Sequence, residues 1–325
     1  MNPFLDPERL AAHRQRNTQQ SMMLVGGMSA IVVVSAALLW SWPGAIIAGG
    51  LVGILAMAGP RVPADTVMRL YNAVPVDPGR SPQLHRIMTV LADRAELAHH
   101  PRLYVIPSTT LNAFATGSPG NAAIGITEGL LRRLDMRQIA GVIAHEMSHI
   151  RNNDLHVMAM ADAMTRFTQL LAYVGLALAI LNIPALLFGL ETFSWLAIVL
   201  LYLAPMTASL LQLGLSRTRE YDADLEAAGL TGDPAGLASA LLALERYQGR
   251  FWEDLMLPVP ARRIPQPSLL RSHPATADRI ARLRELEGRL QFPRPIEIGS
   301  GPLFTLVGHS AASMAPRYRT MGLWY

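Results

Sequence analysis

The chain has no cysteine and no lysine among its 325 residues. Without cysteine there can be no disulfide, and no thiolate is available to hold a metal. The absence is consistent with a reducing compartment. All 28 basic residues are arginines, which we read as a bias of genome composition without functional content. Charge of either sign is scarce. Only 16% of residues are charged, the formal net charge is +4, and 51% are hydrophobic with a mean hydropathy of +0.25. That balance is high for a water-soluble domain and points to membrane spans. No basic cluster is interleaved with aromatics, so nucleic acid is not an expected partner. No internal repeat is present.

Four stretches have little or no charge. Residues 21–42 are long enough to span a bilayer. Residues 45–59 follow after Pro43-Gly44, a natural turn, and are short for a span. Residues 167–190 and 193–215 form a second pair, separated by Glu191-Thr192. A buried core hairpin is the alternative for this pair; length and lack of charge favour the membrane. Asn182, Pro184 and Pro205 inside it could kink the helices or line a polar path. The first stretch could be a signal peptide, since Arg9, Arg14 and Arg16 precede it. The second stretch follows at once without a convincing cleavage site, which favours an uncleaved hairpin. Arg61, Arg69, Arg80, Arg166 and Arg217 flank the two pairs on one side, and the turns near Pro43 and Glu191 carry no positive charge. The positive-inside rule then places both termini and the intervening polar chain in the cytoplasm.

The polar chain carries the chemistry. His145-Glu146-Met147-Ser148-His149 spells H-E-x-x-H in a run that reads as a helix, with Asp135 and Gln138 as a capping box at its start. Ile139, Val142, Ile143, Met147 and Ile150 supply its apolar stripe. Histidines at i and i+4 share a helical face, so His145 and His149 can converge on one zinc ion. Glu146 is then placed to take a proton from water at the open position. A catalytic zinc needs a third protein ligand. Glu220, four residues before Asp224 in a second predicted helix, is the best candidate, and Asp224 can accept the N–H of a ligating histidine. A solvated charged face is the other reading of that segment, because Arg217 and Arg219 adjoin it.

At this point the sequence resembles the HtpX family of membrane-bound zinc metalloproteases, related to the CAAX prenyl proteases. The likeness is carried by Asn112-Ala113-Phe114-Ala115-Thr116-Gly117, by Ile124 to Leu131, by His145 to Asp154, and by Ser216 to Asp224. Ser272-His273-Pro274 with Arg279 and Ile280 adds to it. The resemblance implies His145, His149 and Glu220 as ligands of one zinc ion per chain, Glu146 as general base, and Asp224 behind the ligands. It also implies His273 as an oxyanion donor with Arg279 nearby; a capping or surface histidine is the alternative. Asp154 fits the pattern but receives no role. Residues 122–127, β-favouring at Ile124 and Ile126, are expected to form a sheet edge. There, main chain at Ile124, Gly125 and Ile126 would pair with a peptide. Asn112 either donates to that peptide or is a turn residue.

The expected fold is α+β: a mainly helical, zincin-like metalloprotease domain with a small β-sheet, plus two transmembrane helical hairpins. The expected parts are a cytoplasmic N-terminal segment (1–20), a hairpin (21–60), a first protease half (61–165), a second hairpin (166–215), a second protease half (216–290) and a tail (291–325). The expected location is the bacterial inner (plasma) membrane, multi-pass, with a cytoplasmic site. The expected activity is zinc-dependent cleavage of polypeptides, damaged or misfolded membrane proteins above all, with the lipid bilayer as the other partner. A dedicated processing protease and a non-catalytic membrane scaffold remain as alternatives.

Overall fold

A computed structural model describes residues 7–58, 63–79, 81–118, 120–190, 193–255, 276–287 and 296. In chain order the elements are α1 (Pro7–Ala58), α2 (Ala64–Leu70), β1 (Val74–Pro75), α3 (Pro82–Arg94), β2 (Arg102–Ile106), β3 (Ala113–Ser118) and β4 (Asn121–Thr127). Then come α4 (Glu128–Arg133), α5 (Met136–Arg151), α6 (Asp154–Leu187), α7 (Trp195–Thr231), α8 (Pro234–Leu255) and α9 (Thr276–Glu287). They divide into two compact units. One holds Val62–Leu155 and the chain from Arg219; the other holds Ala12–Arg61 and His156–Thr218. The α+β class with a small sheet and long apolar helices agrees with the sequence reading.

The first unit is organised around α5. Its start is a capping box: the Asp135 carboxylate accepts the Gln138 N–H at 2.8 Å, and the Gln138 side chain accepts the Asp135 N–H at 3.0 Å. Ile139, Val142, Ile143, Met147 and Ile150 are each no more than 3% exposed. Burial of each such side chain stabilises the fold by about 1.5–3 kcal/mol. They pack in one core with Leu84, Ile87 and Leu91 of α3, Ile124 and Ile126 of β4, and Leu237 and Leu241 of α8. Gly141 permits this close packing, because a Cβ there would lie 3.0 Å from the Leu237 backbone. Asp233 caps α8 by accepting the Gly236 N–H at 3.0 Å, just ahead of Pro234 in the first turn. The sheet order is β1-β2-β4-β3, with β2 and β4 parallel and the two outer pairings antiparallel.

In the second unit, α1 breaks at Trp40 and Ser41, where Ser41 takes φ 54°. The chain reverses there: a Cβ on Gly44 would lie 2.4 Å from the Ala36 carbonyl oxygen, which a continuing helix could not allow. The turn thus falls slightly before Pro43-Gly44, and Pro43 opens the second arm, where a missing N–H costs nothing. Met28, Val32 and Ala36 share a cluster with Ala48 of that arm, with Met160, Ala161 and Met164 of α6, and with Leu215 of α7. Pro184 and Pro205 lie inside α6 and α7, which continue through them. Asn182 does not line a path. Its side chain donates to the Phe193 carbonyl and accepts the Phe193 N–H, both at 2.8 Å, which closes the α6–α7 turn. Among the described residues three helical segments are long and apolar enough to cross a bilayer: Thr18–Met57, α6 and α7. Their outward side chains, among them Ile46, Ile47, Leu187 and Phe188, are well over half exposed. Apolar surface of this extent suits a lipid surrounding.

Candidate metal centre and active site

One helical turn of α5 separates His145 from His149. Their rings stand nearly perpendicular, at 85°, and their Nε2 atoms approach to 3.3 Å. Glu220, in the last third of α7, completes the group: its Oε2 lies 3.3 Å from His145 Nε2 and its Oε1 3.6 Å from His149 Nε2. Each residue offers one ligand atom, and these atoms lie within 4.8 Å of one another. Tetrahedral ligands at about 2.0–2.1 Å from an ion stand about 3.3–3.4 Å apart. The donor set therefore fits a metal ion.

Each imidazole is held from behind. Asp224 Oδ1 lies 3.2 Å from His145 Nδ1, and Asp154 Oδ2 lies 2.9 Å from His149 Nδ1. When Nδ1–H donates to a carboxylate, the Nε2 lone pair faces the ligand group. Behind the carboxylates stand two guanidinium groups. Arg279 of α9 donates to both Asp224 oxygens at 2.7 and 2.6 Å and lies 3.3 Å from Glu220 Oε2. Arg219 donates to Asp154 Oδ1 at 2.7 Å. His145, Glu146, Asp154, Glu220, Asp224 and Arg279 are all buried. Within this cluster Glu146, Asp154, Glu220 and Asp224 outnumber Arg219 and Arg279 by two negative charges. A divalent cation on neutral imidazoles balances that excess.

The titration of the metal-free cluster carries the same message. Burial alone would depress both imidazoles. Asp224 and Glu220 outweigh it at His145, and Asp154 and Glu220 carry His149 well above the usual histidine range. At Glu146 burial raises the carboxyl, His145 and His149 oppose it, and Glu220 adds to the rise.

Glu146 is tied to the sheet. Its Oε2 accepts the Ala115 N–H from β3 at 2.9 Å. That N–H serves Glu146 and not β4, and among the described residues β3 pairs only with β4, so it is the edge strand next to the base. Here the sequence reading is corrected. Ile124, Gly125 and Ile126 lie in β4, which pairs with β2 on one side and β3 on the other. Their backbone groups serve the interior of the sheet, and Ile124 and Ile126 are buried in the core. Among the described residues the edge strand beside Glu146 is β3. Asn112 immediately precedes it, and its backbone is clamped: its N–H donates to Thr127 Oγ1 at 3.0 Å and its carbonyl accepts the Thr127 N–H at 3.0 Å. His273 lies outside the described residues.

The structure thus brings together His145, His149, Glu146, Glu220, Asp224 and Arg279. It adds Asp154, Arg219 and Ala115, which sequence reasoning left without a role. Asp154 was visible as an acid just past the second histidine. Ala115, a backbone donor, leaves no mark in a sequence.

A family model described as Peptidase family M48 matches residues 78–287. The chain belongs to peptidase family M48. It is 37% identical to a "Protease HtpX homolog" of Acaryochloris marina over 289 residues, which cover 85% of this chain and 96% of that protein. A second, from Kineococcus radiotolerans, is 37% identical over 85% of this chain and 99% of its own length. The crystal structure of S. mikatae Ste24p aligns with a TM-score of 0.41 and 21% identity, over 85% of this chain and 66% of that one. The HtpX resemblance read from the motifs is therefore correct, and the chain is a metalloprotease with membrane helices.

Proposed function

We propose that this protease is a zinc endopeptidase, one ion per chain, that cleaves damaged or misfolded membrane proteins on the cytoplasmic side of a bacterial plasma membrane. The observation that supports it most is the convergence of His145, His149 and Glu220 beside Glu146, with Glu146 held against the free edge of β3. Nitrogen and oxygen donors without thiolate suit zinc. In this reading residues 21–60 and 166–215 are membrane hairpins, 61–165 and 216–290 are the two protease halves, and 1–20 and 291–325 are cytoplasmic ends. The arginines that flank the apolar runs on one side favour this orientation.

His145, His149 and Glu220 hold the metal. When bound there, zinc supplies a Lewis acid that polarises the scissile carbonyl and acidifies water. A peptide adds to β3 as an extra strand through main-chain hydrogen bonds, which are indifferent to side-chain sequence. That suits unfolded segments of varied composition. Glu146 takes the proton of the attacking water and passes it to the leaving amine. Asn112, which immediately precedes the edge strand, is the proposed donor to the peptide backbone, and His273 is the proposed donor to the oxyanion. Asp224 and Arg279 keep His145 and Glu220 in place.

The test is hydrolysis of an unfolded membrane protein by the full-length chain in detergent. Chelator should abolish cleavage and zinc should restore it. Undiminished cleavage by the chelated protein would refute the reading. Cleavage at one sequence only would replace broad degradation with a processing role.

A further inference from the structure

Asp154 has no role in the chemistry above, yet it is among the most deeply buried acids of the unit, 2% exposed. Burial of a carboxylate is costly unless its oxygens are paired. Both are paired, and with different partners. Oδ2 meets His149 Nδ1 at 2.9 Å, and Oδ1 meets Arg219 at 2.7 Å. Arg219 immediately precedes Glu220 on α7. One carboxylate therefore links the second histidine of α5 to the helix that carries the third ligand.

The local chain is shaped to deliver it. After α5 the backbone turns at Asn152 and Asn153, and Asn153 takes the left-handed region at φ 55°. Asparagine tolerates that conformation better than most residues. The Asn153 N–H donates to the Ile150 carbonyl at 3.2 Å, and the Asn152 side chain donates to Glu226 of α7 at 2.6 Å. The turn brings Asp154, the first residue of α6, back under His149 only five positions after it.

We propose that Asp154 is the positioning residue for His149. It fixes the ring's tautomer and its rotation, so that Nε2 faces the metal, and Arg219 holds the carboxylate in place for this task. The inference rests on the metal site proposed above. Asp224 of α7 approaches His145 Nδ1 to 3.2 Å, so the carboxylates beside the two histidines come from separate elements.

Zinc affinity of the purified full chain, measured by competition with a chromophoric chelator, tests this without any peptidase assay. Asp154→Asn should bind zinc about 10- to 100-fold more weakly than the wild type. The cobalt-substituted variant should show altered d–d absorption, which reports ligand geometry and is indifferent to general stability. Arg219→Gln, which leaves Asp154 and His149 intact, should lose less affinity than Asp154→Asn. For the turn, Asn153→Gly should keep wild-type affinity, whereas Asn153→Val, strained at positive φ, should lose it. This pair gives a readout even if Asp154→Asn folds poorly. Wild-type affinity and cobalt spectrum in Asp154→Asn would overturn the inference. An equal loss in Arg219→Gln would also overturn it, by making Asp154 only an ion-pair partner. Absence of zinc binding by the wild-type chain would overturn the proposed metal site as well, and so separates the two failures.

Discussion

Replacing Arg279 with methionine removes a guanidinium that is only 3% exposed. It donates two charge-assisted hydrogen bonds to Asp224, at 2.7 and 2.6 Å, and approaches Glu220 to 3.3 Å. Methionine fills much of the same volume, so lost packing is a minor part of the effect. The larger part is the charge left behind. Breaking a buried pair from one side costs about 3–5 kcal/mol, because the remaining carboxylate is uncompensated. For a unit of this size that corresponds to a fall in Tm of roughly 6–20 °C. A cation held by His145, His149 and Glu220 would offset part of it, since it neutralises the same acidic cluster. We therefore expect a large gap between wild type and Arg279→Met in chelator and a smaller gap in saturating zinc. The assay is thermal unfolding of the detergent-solubilised chain under both conditions. Asp224→Asn combined with Arg279→Met should be less harmful than the sum of the single changes. A gap below about 1 kcal/mol in chelator, the size of a surface pair, would refute the reasoning. So would a gap that zinc leaves unchanged.

Glu146→Gln should bind one zinc per chain and have no peptidase activity, while Glu220→Ala should lose most of its metal; metal analysis and peptide cleavage on the same preparations check both. Ala115→Pro deletes the N–H that holds Glu146 and one donor of the free edge. At about 1.5–3 kcal/mol for a hydrogen bond to a charged group, it should lower kcat/KM roughly 10- to 150-fold in a peptide assay. In chelator, His145, His149 and Glu146 all hold protons above their ordinary values of 6.5, 6.5 and 4.5. The folded chain thus keeps protons that the unfolded chain has released, and that stabilisation is complete below the ordinary values and fades as pH rises through the raised folded values, so Tm of the chelated protein should fall as pH is raised above the ordinary histidine value. Single cysteines at Gly44 and Thr192 should react with an impermeant thiol reagent on intact cells, and those at Ser118 and Ser313 should be protected; labelling at Ser313 would reverse the orientation.

The sequence carried more of the site than of the sheet. His145, His149 and Glu146 announce themselves because their spacing is the helical period itself, and Glu220 and Asp224 repeat that period on another helix. Arg279 and Asp154 are single residues with no internal spacing. Their partners lie 55 and 5 positions away, and only the folded chain pairs them. The reversal of α1 was legible as a break near Pro43, but its position at Trp40 and Ser41 depends on which side chains of the two arms meet. Strand order was the real failure. β-branched residues mark 121–127 as a strand, yet a strand rich in apolar residues on both faces is an interior strand. The edge strand, Ala113–Ser118, has no β-branched aliphatic residue and so gives a weak strand signal in the sequence.

These features share one physical cause. A hydrolytic centre must keep its base, its ligands and their supports in a dry site, because water would weaken every electrostatic interaction among them. Dryness makes each unpaired acid a liability for folding. The chain answers by setting the buried Arg279 and the part-buried Arg219 against these acids, where arginine is otherwise rare, and by leaving the cluster with two negative charges in excess. That residual charge is the affinity for a divalent cation expressed as a cost of folding without one. It explains why the hydrogen bonds of the two guanidinium groups go to Asp154 and Asp224, behind the histidines, with Arg279 reaching Glu220 only at 3.3 Å. A guanidinium placed between His145 and His149 would neutralise the cluster equally well and leave no reason for a metal to bind.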